Sequence, residues 1–166
     1  FDDVCWIDCR KKVSSDEIIQ EINEMLLHHG LGFSSDVLAK YLPEGRNNLI
    51  ANALEQKEFV VVFDNFDTVQ KDPTICSLVQ KISQGKRTKV LVTLRTPISL
   101  VRKQQFSRLH KLKEEDALLM MRRLGEQYGI DRVKRAKDIV LKDINARVDG
   151  HPKAIEVVIP HLKSKS

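Results

Sequence analysis

The sequence predicts an α/β fold, a parallel sheet with flanking helices, followed by a small all-helical module. Three observations predict it. Phe59-Val60-Val61-Val62-Phe63 is an unbroken run of β-branched and aromatic residues that ends in Asp64, as in a central parallel strand covered by helices on both faces. Over the first 110 residues such runs alternate with capped helical periods, the signature of βαβ units with right-handed crossovers. From residue 111 only helical periods remain. The expected boundaries are therefore 1–110 for the sheet domain and 111–166 for the helical module.

In chain order, Val4 to Cys9 forms a first strand. Ser14 and Glu17 make a capping box, and Ile18, Ile22, Met25 and Leu26 follow at helical spacing until Gly30. His28-His29 then sits where cations favour a helix C-terminus. A shorter helix carries Val37, Leu38, Tyr41 and Leu42 and stops before Pro43; another carries Leu49, Ile50, Ala53 and Leu54 into the central strand. Asp72-Pro73 is an N-cap followed by proline at the first helical position, and Gly85 closes that helix. Lys89 to Leu94 is the next strand, delivering Arg95 to the same edge as Asp64. Thr96-Pro97 is expected to start a helical turn, and Phe106 to His110 to add a strand. Glu114-Glu115-Asp116 load the next helix N-terminus with acid. Asp131 is expected to cap one helix carrying Val133, Ala136, Val140, Ile144 and Val148 until Gly150. His151-Pro152 opens the last helix, whose end Pro160 should kink or fray.

With 42% hydrophobic and 31% charged residues, the 166-residue chain has the make-up of a soluble globular protein. Six Phe, two Tyr and one Trp are too few for an aromatic platform for nucleic acid. The net charge of +5 is spread along the chain, permitting nucleotide or nucleic-acid binding without demanding either. No apolar run approaches membrane-spanning length and no signal-peptide pattern opens the chain. Cys5, Cys9 and Cys76 lack metal-ligand spacing and read as reduced core thiols of an intracellular protein. A chain beginning at Phe1, in the approach to a strand, is expected to be a piece of a longer protein.

Ligands of open α/β sheets sit outside the carboxyl ends of the strands, which is where Asp64 falls. A carboxylate there can hold Mg²⁺ while the metal bridges nucleotide phosphates, the Walker B pattern. Two further signals follow in order: a later strand ending in Thr93-Leu94-Arg95, and Gly150-His151-Pro152-Lys153-Ala154 between two helices.

This ordered set resembles the signal-transduction (STAND) class of P-loop ATPases, nearest to NB-ARC or AP-ATPase domains. The Asp64 stretch is similar to their Walker B segment and Thr93-Leu94-Arg95 to their sensor strand. Gly150-His151-Pro152-Lys153 is similar to their GLPL motif, and Leu112 to Leu118 to the opening of their helical domain. The resemblance implies a P-loop NTPase-like sheet and Mg²⁺ held by Asp64. It implies that Arg95 senses the γ-phosphate, with Thr93 beside it, and that Pro152 touches the adenine. ATP or ADP would be the ligand, slow hydrolysis would move the helical module, and the activated full-length protein would form a cytoplasmic homo-oligomer. The chain departs from the pattern twice. Asn65 stands where many relatives carry a second acid, leaving Asp67 as the substitute base or as a turn residue. No Gly-x-x-x-x-Gly-Lys-Ser/Thr occurs; the family places that loop, with a strand and a helix, before the residue corresponding to Phe1.

Two rival functions stay open at this point. One is a non-catalytic oligomerisation scaffold of the same fold. The other is a nucleic-acid-binding regulator, drawn from Lys86, Arg87, Lys89, Arg102, Lys103, Arg108, Arg122, Arg123, Lys134 and Arg135; such charges on helices more often form a solvated face.

Overall fold

The computed structural model describes residues 1–101 and 104–164, so Arg102 and Lys103 lie outside the described residues. Two compact units, Phe1–Phe106 and Ser107–Ser166, each enclose a core of their own. In the first unit β1 (Asp3–Asp8), β2 (Phe59–Asp64) and β3 (Lys89–Val92) form a parallel sheet in the order β1-β2-β3. The apolar run is thus the central strand. Register pairs Cys5 with Val61 and Val61 with Val90, and likewise Ile7 with Phe63 and Phe63 with Val92.

Because registered residues leave a sheet on the same side, this set forms one face. It packs into a single core with Ile18, Ile22 and Leu26 of α1 (Ser15–His28), Ile50 and Leu54 of α3 (Pro43–Leu54), and Ile75, Leu78 and Ile82 of α4 (Pro73–Gln84). Fully burying each such side chain contributes about 1.5–3 kcal/mol. Helix α2 (Ser35–Ala39) is a short outlier that carries Val37 and Leu38 but stops before Tyr41.

The opposite face departs from the expectation of helices on both sides. On the edge strands Val4, Trp6 and Leu91 are 54%, 58% and 54% exposed, while Val62, registered between the last two on β2, is buried. The reason is topological. Right-handed crossovers that step repeatedly in one direction place their helices on one face, and covering the other requires the strand order to reverse. Steps β1 to β2 and β2 to β3 go the same way.

Local signals hold where they are strong. Ser14 and Glu17 form the full capping box, and Asp72 caps α4 through the N–H groups of Thr74 and Ile75. Burial pushes the thiols of Cys5 and Cys9 up, to about 12 and about 11, which keeps them protonated.

Weak periodic signals fail. Thr96-Pro97 starts no helical turn, and Phe106 to His110 forms no strand: the segment is irregular, with Leu109 93% exposed, and no described strand pairs with it. In the second unit, α5 (Glu114–Gln127), α7 (Asp138–Val148) and α8 (Pro152–His161) surround a core of Ala117, Met121, Leu141 and Ile155. The helix expected from Asp131 to Val148 is two, because α6 ends after Asp131–Lys134. Its cap position is Ile130, with Asp131 already inside. The guanidinium of Arg122 on α5 explains the break: it donates to Lys134 O (2.9 Å) and Ala136 O (3.0 Å) and pairs with Asp138. Carbonyls left over at a helix end need such partners. Helix α8 runs one residue past Pro160 and tightens into a 3₁₀ turn, Leu162–Ser164.

Candidate functional site

The carboxyl ends of β1 and β2, and the chain just past β3, bring the sequence-predicted residues of the first unit to one rim. Backbone pairing runs past the strands: Thr93 N–H donates to Phe63 O (3.0 Å), Cys9 N–H to Asp64 O (2.9 Å) and Phe66 N–H to Thr93 O (3.0 Å). After Asp64 the chain turns sharply through Asn65, whose backbone is left-handed (φ 56°, ψ 45°). Asparagine tolerates that conformation better than most residues. A 3₁₀ turn, Phe66–Thr68, follows, anchored by the buried Phe66 ring edge-on to Phe63.

The Thr93 hydroxyl organises this turn. It donates to Asp64 Oδ1 (2.5 Å) and accepts from Asn65 N–H (3.0 Å), so its proton and one of its two lone pairs are committed. Asp67 does not reach into the rim as a lone acid. Its Oδ1 accepts the Arg95 backbone N–H (2.8 Å), fixing the start of the segment that carries Arg95. The Arg95 side chain is exposed and has no ion-pair or hydrogen-bond partner among the described residues.

Two residues of this rim escape the strand pattern. Asp8 is the register partner of Asp64, so the two carboxylates leave the sheet side by side on the uncovered face. Arg10 grips Asp8 with both prongs, Nε to Oδ1 (3.0 Å) and a terminal nitrogen to Oδ2 (3.1 Å). That bond holds the Asp8 carboxyl below its ordinary range and raises the guanidinium. The signal for Asp8 was present in the sequence, an apolar stretch ending in acid. It is hidden because Cys9 extends the run and register is a property of pairing.

Pro152 lies in the other unit, at the first position of α8. Two left-handed residues, Asp149 and Gly150, precede it, and Gly150 O accepts Leu112 N–H (3.0 Å). A side chain at Gly150 would meet Leu112 O at 2.9 Å, so this close approach needs glycine. His151 caps α8 by accepting from Ala154 N–H.

A depression of about 640 Å³ in the first unit is lined by residues of α1 and of the stretch 33–46 and by none of the candidate residues. Among the described residues no cluster of three or more His, Cys, Asp or Glu side chains is arranged to hold a metal. The rim does fit a hydrated Mg²⁺, which takes oxygen donors and needs one or two carboxylates beside phosphate and water. One oxygen of Asp64 is anchored on Thr93 and the other is unbonded among the described residues.

The family model for the NB-ARC domain matches residues 1–128. The chain belongs to the NB-ARC family. No curated protein and no solved structure gives a significant match. As an NB-ARC domain it is a nucleotide-binding ATPase switch module of the P-loop NTPase kind. No described helix of this NB-ARC chain is long and apolar enough to cross a membrane.

Proposed function

We propose that this NB-ARC chain binds ATP and ADP with Mg²⁺. Asp64 is the metal-holding carboxylate, Thr93 positions it, and Arg95 reads the terminal phosphate. The observation that supports this best is the meeting of all three on one rim, with Asp64 pinned by a hydroxyl and Arg95 exposed and unengaged among the described residues. The metal and the guanidinium would neutralise phosphate charge.

Hydrolysis is slow on this reading. Asn65 has no proton-accepting carboxylate, and Asp67 already accepts a backbone N–H. The product is a switch whose nucleotide state sets the disposition of the helical module and the assembly of copies into a homo-oligomer in the cytoplasm. For Pro152 the base-packing role rests on the GLPL resemblance.

The test is calorimetric titration of the full-length protein with ATP and ADP, with and without Mg²⁺, beside Asp64→Ala. The variant should lose Mg²⁺-dependent affinity by at least tenfold, about 1.4 kcal/mol, and lose turnover. Equal affinity and turnover in both proteins would reject the metal role and favour a non-catalytic scaffold of the same fold.

A further inference from the structure

We propose that Arg10 is a phosphate-contacting residue of the nucleotide site, held on Asp8 until a nucleotide's terminal phosphate takes it over. The inference rests on the nucleotide reading above and adds a residue and a regulation to it.

Position comes first. Asp8 and Asp64 are registered neighbours on the same face of the sheet, so the guanidinium gripping Asp8 stands one strand away from the proposed metal carboxylate.

Availability comes second. Arg10 is bound to a carboxylate only two residues away, and its side chain is 62% exposed while that of Asp8 is 18% exposed. The guanidinium is therefore open to an incoming anion, which must replace its two-pronged hold on the more sheltered Asp8. The turn that carries Arg10 is itself fixed, since Lys11 and Lys12 N–H both donate to Asp8 O (2.9 and 3.0 Å). Lys12 is occupied by Glu21, whereas Lys11 is 81% exposed and lies 3.9 Å from Asp8.

Chemistry decides the competitor. A planar guanidinium that fits two carboxylate oxygens fits two phosphate oxygens equally well, and the phosphate carries more charge. A terminal phosphate near Asp64 therefore outbids Asp8. Asp8 then loses the guanidinium beside Asp64 and keeps the Arg10 backbone N–H on its Oδ1 (3.1 Å).

The exchange makes two variants move in opposite directions. In the full-length protein, titrated with Mg²⁺-ATP and Mg²⁺-ADP, Arg10→Ala should lower ATP affinity roughly tenfold and leave ADP nearly unchanged. Asp8→Asn removes the competing charge and should raise ATP affinity severalfold. Arg10→Lys should restore only part of the loss, because an ammonium lacks the two-pronged fork. If Arg10→Ala leaves the ratio of ATP to ADP affinity unchanged while Asp64→Ala weakens binding, Arg10 has no such role and the nucleotide reading survives. If the wild-type protein binds neither nucleotide, both are overturned. Should Arg10→Ala fail to fold, Asp8→Asn decides alone, and unchanged ATP affinity there rejects the exchange.

Discussion

A single oxygen atom, the hydroxyl of Thr93, joins the end of β2 to the chain leaving β3. It gives its proton to Asp64 and receives the N–H of the left-handed Asn65. Thr93→Val keeps the shape and removes both bonds, leaving a half-buried donor and acceptor without partners. Stability should fall by about 1–3 kcal/mol, measured by urea unfolding, while Thr93→Ser stays close to wild type. Thr93, Asp64 and Arg95 were legible in the sequence because each sits where an apolar run stops, and a strand end is a local event. Asp8 and Arg10 were not. Their importance comes from the pairing of Asp8 with Asp64, residues far apart in the chain and adjacent only in the sheet.

At the scale of elements, Glu55 shows how one helix end can shape a distant turn. It caps the C-terminus of α3, and its carboxylate accepts the N–H groups of Lys86 (2.8 Å), Arg87 (3.3 Å) and Thr88 (3.2 Å), which link α4 to β3. Gly85 leaves room for it, since a Cβ there would fall 2.0 Å from Glu55 Oε1. Burial pushes the Glu55 carboxyl up, but the three donors outweigh it and the net direction is down from 4.5. A depressed carboxyl stabilises the fold above its unfolded value and loses that contribution as pH falls through the lower, folded value. Glu55→Gln should therefore flatten the loss of stability below about pH 4.5, followed as melting temperature from pH 6 to 3. This clasp has no sequence signature, and neither does the break between α6 and α7 made by Arg122. The capping box of α1, the Asp72 cap and the helical periods were readable because their partners lie within four residues. Long-range carboxylate and guanidinium clasps join residues more than ten positions apart, and the misplaced strand at 106–110 failed for want of a partner.

Across the whole chain, two cores share no residue: one lies under the sheet, the other among α5 to α8. Stability should divide accordingly. Ile155, fully buried in the second core, should cost about 2–5 kcal/mol when cut to alanine. Hydrogen exchange should quicken in α5 and α7 while the amides of Val61 and Phe63 keep their protection; equal loss in both units would show a single cooperative fold. Surface charge divides less sharply. Several cations proposed for nucleic acid are engaged at home: Arg87 donates to Gln56 O, Lys134 pairs with Glu126, and Arg122 holds the α6 end. The bare side of the sheet has an optical meaning. Trp6, the single tryptophan of the chain, stands on it at the edge strand β1, 58% exposed. An indole already in water emits in the folded state much as it does in the unfolded one, so its colour is a poor thermometer of folding. It turns blue when something apolar settles over β1 and β3, and fluorescence from this one ring thus reports whether that side of the sheet is covered.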